Sequence, residues 1–215
     1  MENDLSNYRK NYTKKELLEN NSPKNPHELF ETWFSIADAS ESVDEANAMN
    51  ISTIGLDGFP KNRVVLLKQY GKEGFVFYTN YESEKGKAII ANPNVCLSFF
   101  WPSLEQQIII KGTTEKVTSE TSDNYFNSRP TGSKLGAWAS NQSVIIASKE
   151  SLQSQLEKFT NKFANKTIPR PEHWGGFIVK PVSIEFWQGR PNRMHDRLRY
   201  TLLKDFSWKI ERLSP

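Results

Sequence analysis

The chain has 215 residues, 25% of them charged, with 28 basic against 25 acidic side chains and a formal charge of +3. That length suits one sizeable domain, and so slight a bias excludes nucleic-acid or membrane-surface binding by bulk attraction. The single cysteine, Cys96, excludes an internal disulfide framework, and no apolar run approaches the length needed to cross a bilayer.

The first residues, MENDLSNYRKNYTKKEL, lack the apolar stretch of a signal peptide, so a cytoplasmic protein is expected. Residues 1–25 are polar, rich in Asn and Lys, and without sustained period; they read as a mobile arm or lid. Residues 26–215 read as a single domain. Pro26 opens an amphipathic helix, with Leu29, Phe30, Trp33, Phe34 and Ala37 at helical spacing. Met49 to Leu56 alternates as a strand, Asp57-Gly58 signals a hairpin turn, and Asn62 to Gln69 returns as the partner strand. Gly71 to Gly74 is a further turn before the short strand FVFYTN. Ser83 is placed to cap a helix running to about Ala91.

Asn94 to Trp101 and Gln106 to Val117 read as two more strands. The QIII run in the second predicts cover on both faces. Ser119 to Ser128 reads as a short helix and Ser133 to Ala139 as a turn or two. Ser148 to Ala164 reads as a helix with Leu152, Leu156, Phe159 and Phe163 on one stripe. Trp174 to Trp187 is a strand containing Pro181, which predicts an edge or a bulge at that point. Arg193 to Leu203 and Ser207 to Leu213 close the chain, completing a C-terminal hairpin region over 174–215. Strands in hairpin succession with helices interposed singly predict an antiparallel sheet closing into a barrel, mainly β with flanking helices. No βαβ alternation and no Gly-rich phosphate loop occurs, so any bound phosphate falls to side-chain cations.

The segment FWQGRPNRMHDR, residues 186–197, is the most unusual. Read as strand, turn and strand, it sends Arg193, His195 and Arg197 to one face at spacing two. Such a face calls for a phosphate, a carboxylate or a polarised ring. In RVVLLK, strict alternation sends Arg63 and Lys68 to opposite faces. They serve either two different anions or one site around a bulge, or else simply mark strand ends with their charges in water. In YTNYESEKGK, hydroxyls, free backbone N–H groups and lysines at a helix start make an anion site or a solvated capped helix with equal ease. In YFNSRPTGS, Tyr125, Arg129 and Ser133 recur at spacing four, a set suited to a phosphate monoester if the turn at Pro130 lets them converge; the alternative is a helix C-terminus carrying a favourable cation. Gln107, Gln142 and Ser143 bear groups that pair with heterocycle edges, and they are equally ordinary surface residues. His27, His173 and His195 hold no ligand spacing, so no metal is expected.

Together RVVLLK, FYTN followed by SEKGK, EQQ, YFNSRP with Ser133, NQS, WGGF, FWQGRPNRMHDR and the closing W-x-I-x-R-L-x-P resemble the pyridoxamine 5′-phosphate oxidase family. The motifs run in order over nearly the whole chain. The resemblance implies an FMN-binding split β-barrel, homodimeric, with one FMN in each of two clefts at the subunit interface. It implies oxidation of pyridoxamine 5′-phosphate or pyridoxine 5′-phosphate to pyridoxal 5′-phosphate, with O2 reduced to H2O2. Other readings are a reductase on the same barrel and a non-catalytic pyridoxal phosphate carrier.

Carried over by resemblance, Arg63, Val64, Val65, Leu66, Leu67, Lys68, Tyr78, Thr79 and Lys85 line the FMN, with Arg63 and Lys85 on its phosphate. Gln107, Gln142, Ser143, Trp187 and Arg197 surround the same cofactor, some of them from the partner subunit. Lys68, Tyr125, Arg129 and Ser133 grip the substrate phosphate. Arg193, Met194 and His195 lie against the substrate ring, with Arg193 and His195 catalytic, and Arg9, Lys10, Asn11 and Tyr12 cover it. One departure stands out: family members commonly carry Arg-Lys where this chain has Glu84-Lys85. An acid there is expected to turn away or to weaken FMN binding, with Lys87 compensating, and Glu84→Arg is expected to tighten it.

Overall fold

A computed structural model describes residues 3–215 of the chain. Met1 and Glu2, the first residues of the expected arm, lie outside the described residues. Helix α1 (Pro26–Asp38) starts where the sequence places it: Asn25 Oδ1 accepts from the His27 amide at 3.0 Å, and Pro26 occupies a first-turn position. Strands β1 (Ala48–Ile54) and β2 (Pro60–Leu66) flank a turn in which Gly58 takes φ +81°, a left-handed conformation that favours glycine. Strands β3 (Gln69–Gly71) and β4 (Gly74–Asn80) form the next hairpin, in register Gly71 to Gly74.

Ser83 Oγ accepts from the Gly86 amide and caps helix α2 (Glu84–Ala91). Strands β5 (Asn94–Trp101) and β6 (Gln106–Lys116) follow, then helices α3 (Ser119–Ser128), α4 (Thr131–Ala139) and α5 (Lys149–Lys162). Strands β7 (Trp174–Gln188), β8 (Asp196–Leu202) and β9 (Trp208–Arg212) complete the chain. The sheet runs β2-β1-β5-β6-β7-β4-β3, with β8 between β7 and β9.

The chain divides into two compact units. One comprises the residues up to Met49 with 97–111 and 181–215. Its core is aromatic: Phe30 meets Phe99 edge-on at 5.4 Å and Trp33 meets Phe186 at 5.3 Å, all of them buried. Each such ring contributes roughly 1.5–3 kcal/mol by burial. The other comprises 50–96 and 112–180. Its interior includes Phe77 against Phe177 and a cluster of Phe126, Ile168 and Trp174.

Several expectations need correction. Strand β8 begins only at Asp196, so Arg193, His195 and Arg197 do not share a strand face. Residues 191–193 form a 3-10 turn in which Asn192 and Arg193 both have positive φ (56° and 62°), which breaks the assumed alternation. Pro181 meets the edge expectation locally: it falls between the β4 ladder, which ends at Val179, and the β8 ladder, which starts at Ser183, so on that side of β7 its missing N–H interrupts neither. On β6, Ile108 and Ile110 are buried while Gln107 and Ile109 are partly exposed, so the strand alternates instead of being covered on both faces. Helix α5 buries none of its residues fully: Leu152 and Leu156 are each 39% exposed, and Phe159 packs on Trp138. The residues after Pro130 form a full helix, α4, starting two positions earlier than the expected turn.

Candidate active site

Within the second unit a cavity of about 450 Å³ opens beside the C-terminal end of β2, the end of β4, the start of α2 and the α3–α4 turn. Its wall includes Lys68, Lys85 and Arg129, and none of its described lining residues is acidic. Three cations facing one space repel one another, so the cavity is built for an anion. Of the expected cofactor set, Val64, Val65, Leu66, Lys68, Tyr78, Thr79, Lys85 and Gln142 line it. Of the expected phosphate grip, Lys68, Tyr125, Arg129 and Ser133 all line it. Pro130 does not scatter the last three. It closes α3 and starts α4, and the reversal turns Arg129 and Ser133 toward the same space.

Local packing fixes these groups. Tyr78 stacks on Tyr125 with ring centroids 3.9 Å apart and on Trp174 at 5.6 Å. The Arg129 guanidinium lies over the Trp174 ring at 4.5 Å. Burial lowers the Arg129 pKa and, with Tyr125 and Tyr81, raises that of Tyr78. The Tyr78 hydroxyl and Arg129 Nη1 are both buried and have no hydrogen-bond partner among the described residues. Folding rarely leaves such groups unmatched, because each costs about 1–3 kcal/mol. Both sit on the wall of one cationic cavity, which is the demand a bound phosphate would meet.

Lys85 is held by one partner close in sequence and one far from it. From the first turn of the capped helix, its Nζ donates to Thr79 Oγ1 at 2.6 Å and to Gln142 Oε1 at 2.8 Å. These are neutral partners, and burial, with Arg63 nearby, pushes its pKa down to about 8. Arg63 itself does not line the cavity. Its Nη2 donates to Glu84 Oε2 at 2.9 Å and its Nη1 to the Asn62 carbonyl. Glu84 therefore does not turn away: it occupies the residue expected to hold the FMN phosphate. Leu67 points into the core, 3% exposed, as alternation from Leu66 requires. Ser143 stands at φ +70° on the wall of a neighbouring cavity of about 310 Å³ that it shares with Gln142, Glu84, Lys61 and Lys87.

The first unit carries its own cavity, about 660 Å³, lined by Arg9, Lys10, Asn11, Tyr12, Arg190, Arg193 and His195 among others. Tyr12 meets Trp187 edge-on at 5.7 Å and His195 at the same distance, and Trp187 lies 4.7 Å from His195. The arm is tied in place. Buried Glu105 accepts from the amides of Thr13 and Lys14, and Arg190 pairs with Glu16. His195 Nδ1 accepts from the Arg190 amide at 3.1 Å, and burial and Arg193 lower its pKa. The neutral ring then presents Nε2–H. Met194 is 69% exposed and does not line the cavity. Gln107 Nε2 donates to Ser98 Oγ at 3.3 Å, and Arg197 pairs with Glu185 at 2.8 Å.

Sequence reasoning missed Lys61, Glu105 and the wall role of Trp174. Lys61 had a readable signal, being two residues before Arg63 and so on the same strand face. Glu105 had none, since its burial at 2% depends on residues about 90 positions away.

Residues 37–163 match the model of the pyridoxamine 5′-phosphate oxidase family, and residues 174–215 match the pyridoxine 5′-phosphate oxidase C-terminal dimerisation region. The chain is 62% identical over 212 residues to a pyridoxine/pyridoxamine 5′-phosphate oxidase of Flavobacterium johnsoniae, covering 99% of each. It is 58% identical to that of Christiangramia forsetii, covering both chains fully. Among solved structures, PhzG from Burkholderia lata, in complex with tetrahydrophenazine-1-carboxylic acid, superposes with TM-score 0.85 at 26% identity over 93% of this chain and 98% of that one. A pyridoxamine 5′-phosphate oxidase-related, FMN-binding protein of Nostoc punctiforme shares the fold, with TM-score 0.70 at 14% identity over 90% of this chain and all of that one. The fold is the FMN-binding split β-barrel, and the chain belongs to the pyridoxamine 5′-phosphate oxidase family.

Proposed function

We propose that the chain is an FMN-dependent oxidase converting pyridoxamine 5′-phosphate or pyridoxine 5′-phosphate to pyridoxal 5′-phosphate, with O2 as the final acceptor and H2O2 as its product. The carrying observation is the cavity with three cations and, among the described residues, no acidic group on its wall and no partner for two buried polar groups. Bound FMN supplies the hydride acceptor.

The protein's own groups bind and orient. Lys85, Thr79 and Gln142 hold the flavin phosphate end, with Arg63 beside them. Lys68, Tyr125, Arg129 and Ser133 hold the substrate phosphate, Arg129 with the unspent Nη1 donor. Arg193 and His195 lie against the substrate ring. With Nδ1 bonded to the Arg190 amide, neutral His195 offers Nε2–H to the substrate's C4′ heteroatom and so orients it. For the ring to take up a proton, the hydrogen bond from the Arg190 amide to Nδ1 has to open first. Tyr12 and the strapped arm exclude water above the ring. Each cleft takes residues from two copies of the chain, in keeping with the match of 174–215 to a dimerisation region.

The test is reconstitution. Apoprotein mixed with FMN is expected to give a bound-flavin spectrum and to consume oxygen on addition of pyridoxine 5′-phosphate, with turnover strongly reduced in Arg193→Ala and His195→Ala. Protein that stays colourless after FMN addition, or that turns yellow and leaves oxygen untouched with both vitamers, overturns the reading.

A further inference from the structure

Glu84 stands beside a phosphate cradle, where an acid is unfavourable, and the structure shows what offsets it. Lys61 and Arg63, two residues apart on β2, leave the same strand face and reach the same carboxylate: Lys61 Nζ pairs with Glu84 Oε1 and Arg63 Nη2 donates to Oε2 at 2.9 Å. Asp57, across the β1–β2 turn, holds the same lysine at 2.8 Å. Lys87, the compensating cation expected from sequence, is exposed and makes no such pair among the described residues.

We propose that Lys61 is a positioning residue for the flavin phosphate, acting through Glu84: it retains and neutralises the carboxylate so that Arg63 is free to turn from Glu84 to the phosphate. Without Lys61, Glu84 keeps Arg63 as its only strong partner and sets an uncompensated negative charge beside the incoming dianion. This rests on the FMN reading above, and it assigns Lys61 no contact with the flavin.

The double-mutant cycle of Lys61→Ala and Glu84→Gln decides it, read as dissociation constants of the apoprotein for FMN and for riboflavin by flavin fluorescence quenching at low ionic strength. Lys61→Ala is expected to raise the FMN constant about two- to fivefold, the scale of a part-exposed ion pair. Lys61→Arg is expected to keep the wild-type value. In the Glu84→Gln background, Lys61→Ala is expected to change nothing. Riboflavin, which lacks the phosphate, is expected to bind all variants alike, which also shows that they remain folded. An equal loss in both backgrounds means that Lys61 touches the phosphate directly, and no loss in either means an idle surface pair; each overturns the proposal. A wild-type protein that binds neither flavin removes the FMN reading itself, and this inference with it, a result distinct from either pattern of the cycle.

Discussion

Lys85 shows how one residue is tuned by its surroundings. Burial and the neighbouring Arg63 lower its pKa from 10.5 to about 8. Folding is therefore penalised below about pH 8, where a charged ammonium is buried. That penalty lifts as the pH rises toward 10.5, because over this window the unfolded chain binds the extra proton. Anion binding has the opposite sign: a phosphate needs the protonated lysine and itself stays dianionic above its second pKa of about 6. FMN affinity is thus expected to fall about tenfold between pH 7 and pH 9, following loss of one proton. In Lys85→Arg the profile is expected to flatten, and riboflavin is expected to show no slope. Isothermal titration at the two pH values checks this, and an FMN constant independent of pH contradicts it.

At the scale of the element, helix α2 carries Lys85 on the wall of the cationic cavity. Its N-cap, Ser83, is fully buried; the hydroxyl accepts from the Gly86 amide at 3.1 Å and donates to the Asn80 carbonyl at 2.7 Å. Ser83→Ala is expected to cost about 2 kcal/mol, at the higher end of cap effects because the side chain is buried and makes two hydrogen bonds. It is also expected to weaken FMN, since it loosens the turn that aims Lys85. Urea unfolding of the apoprotein beside an FMN titration measures both. Unchanged stability would mean that the cap does not hold the helix start. This element was legible in advance, because a cap acts over three residues. Strand β8 was not. Its start at Asp196 depends on two successive left-handed residues, Asn192 and Arg193; Asn favours that conformation, but Arg does not announce it. The spacing-two argument for Arg193, His195 and Arg197 therefore failed geometrically. Arg193 and His195 nevertheless line one cavity, while Arg197 pairs with Glu185.

At the scale of the molecule, the expected substrate residues fall into two sets. Lys68, Tyr125, Arg129 and Ser133 line one cavity, and Arg9 to Tyr12 with Arg193 and His195 line another. The proposed cleft draws on two copies, so flavin binding and assembly are linked. Saturating FMN is expected to raise stability by about 2.7 kcal/mol at a hundredfold excess over its dissociation constant. The apparent melting temperature is expected to rise with protein concentration. Calorimetry across a dilution series, with and without FMN, reads both effects. A melting temperature indifferent to both FMN and concentration would contradict the linkage.

By itself the sequence determined what is local or periodic: helix starts at Pro26 and Ser83, the Asp57-Gly58 turn, the alternation of β1, and the set of cations from which a phosphate site is made. Those follow from backbone sterics and hydrogen bonding within a few residues, which neighbouring side chains report directly. The tertiary structure alone decided that Glu84 binds Arg63 and Lys61, that Glu105 is buried as the anchor of the arm, and that Arg129 and Tyr78 keep unpartnered groups on one wall. Charge pairing and desolvation depend on distance in space, and residues tens of positions apart become neighbours only once the chain has folded.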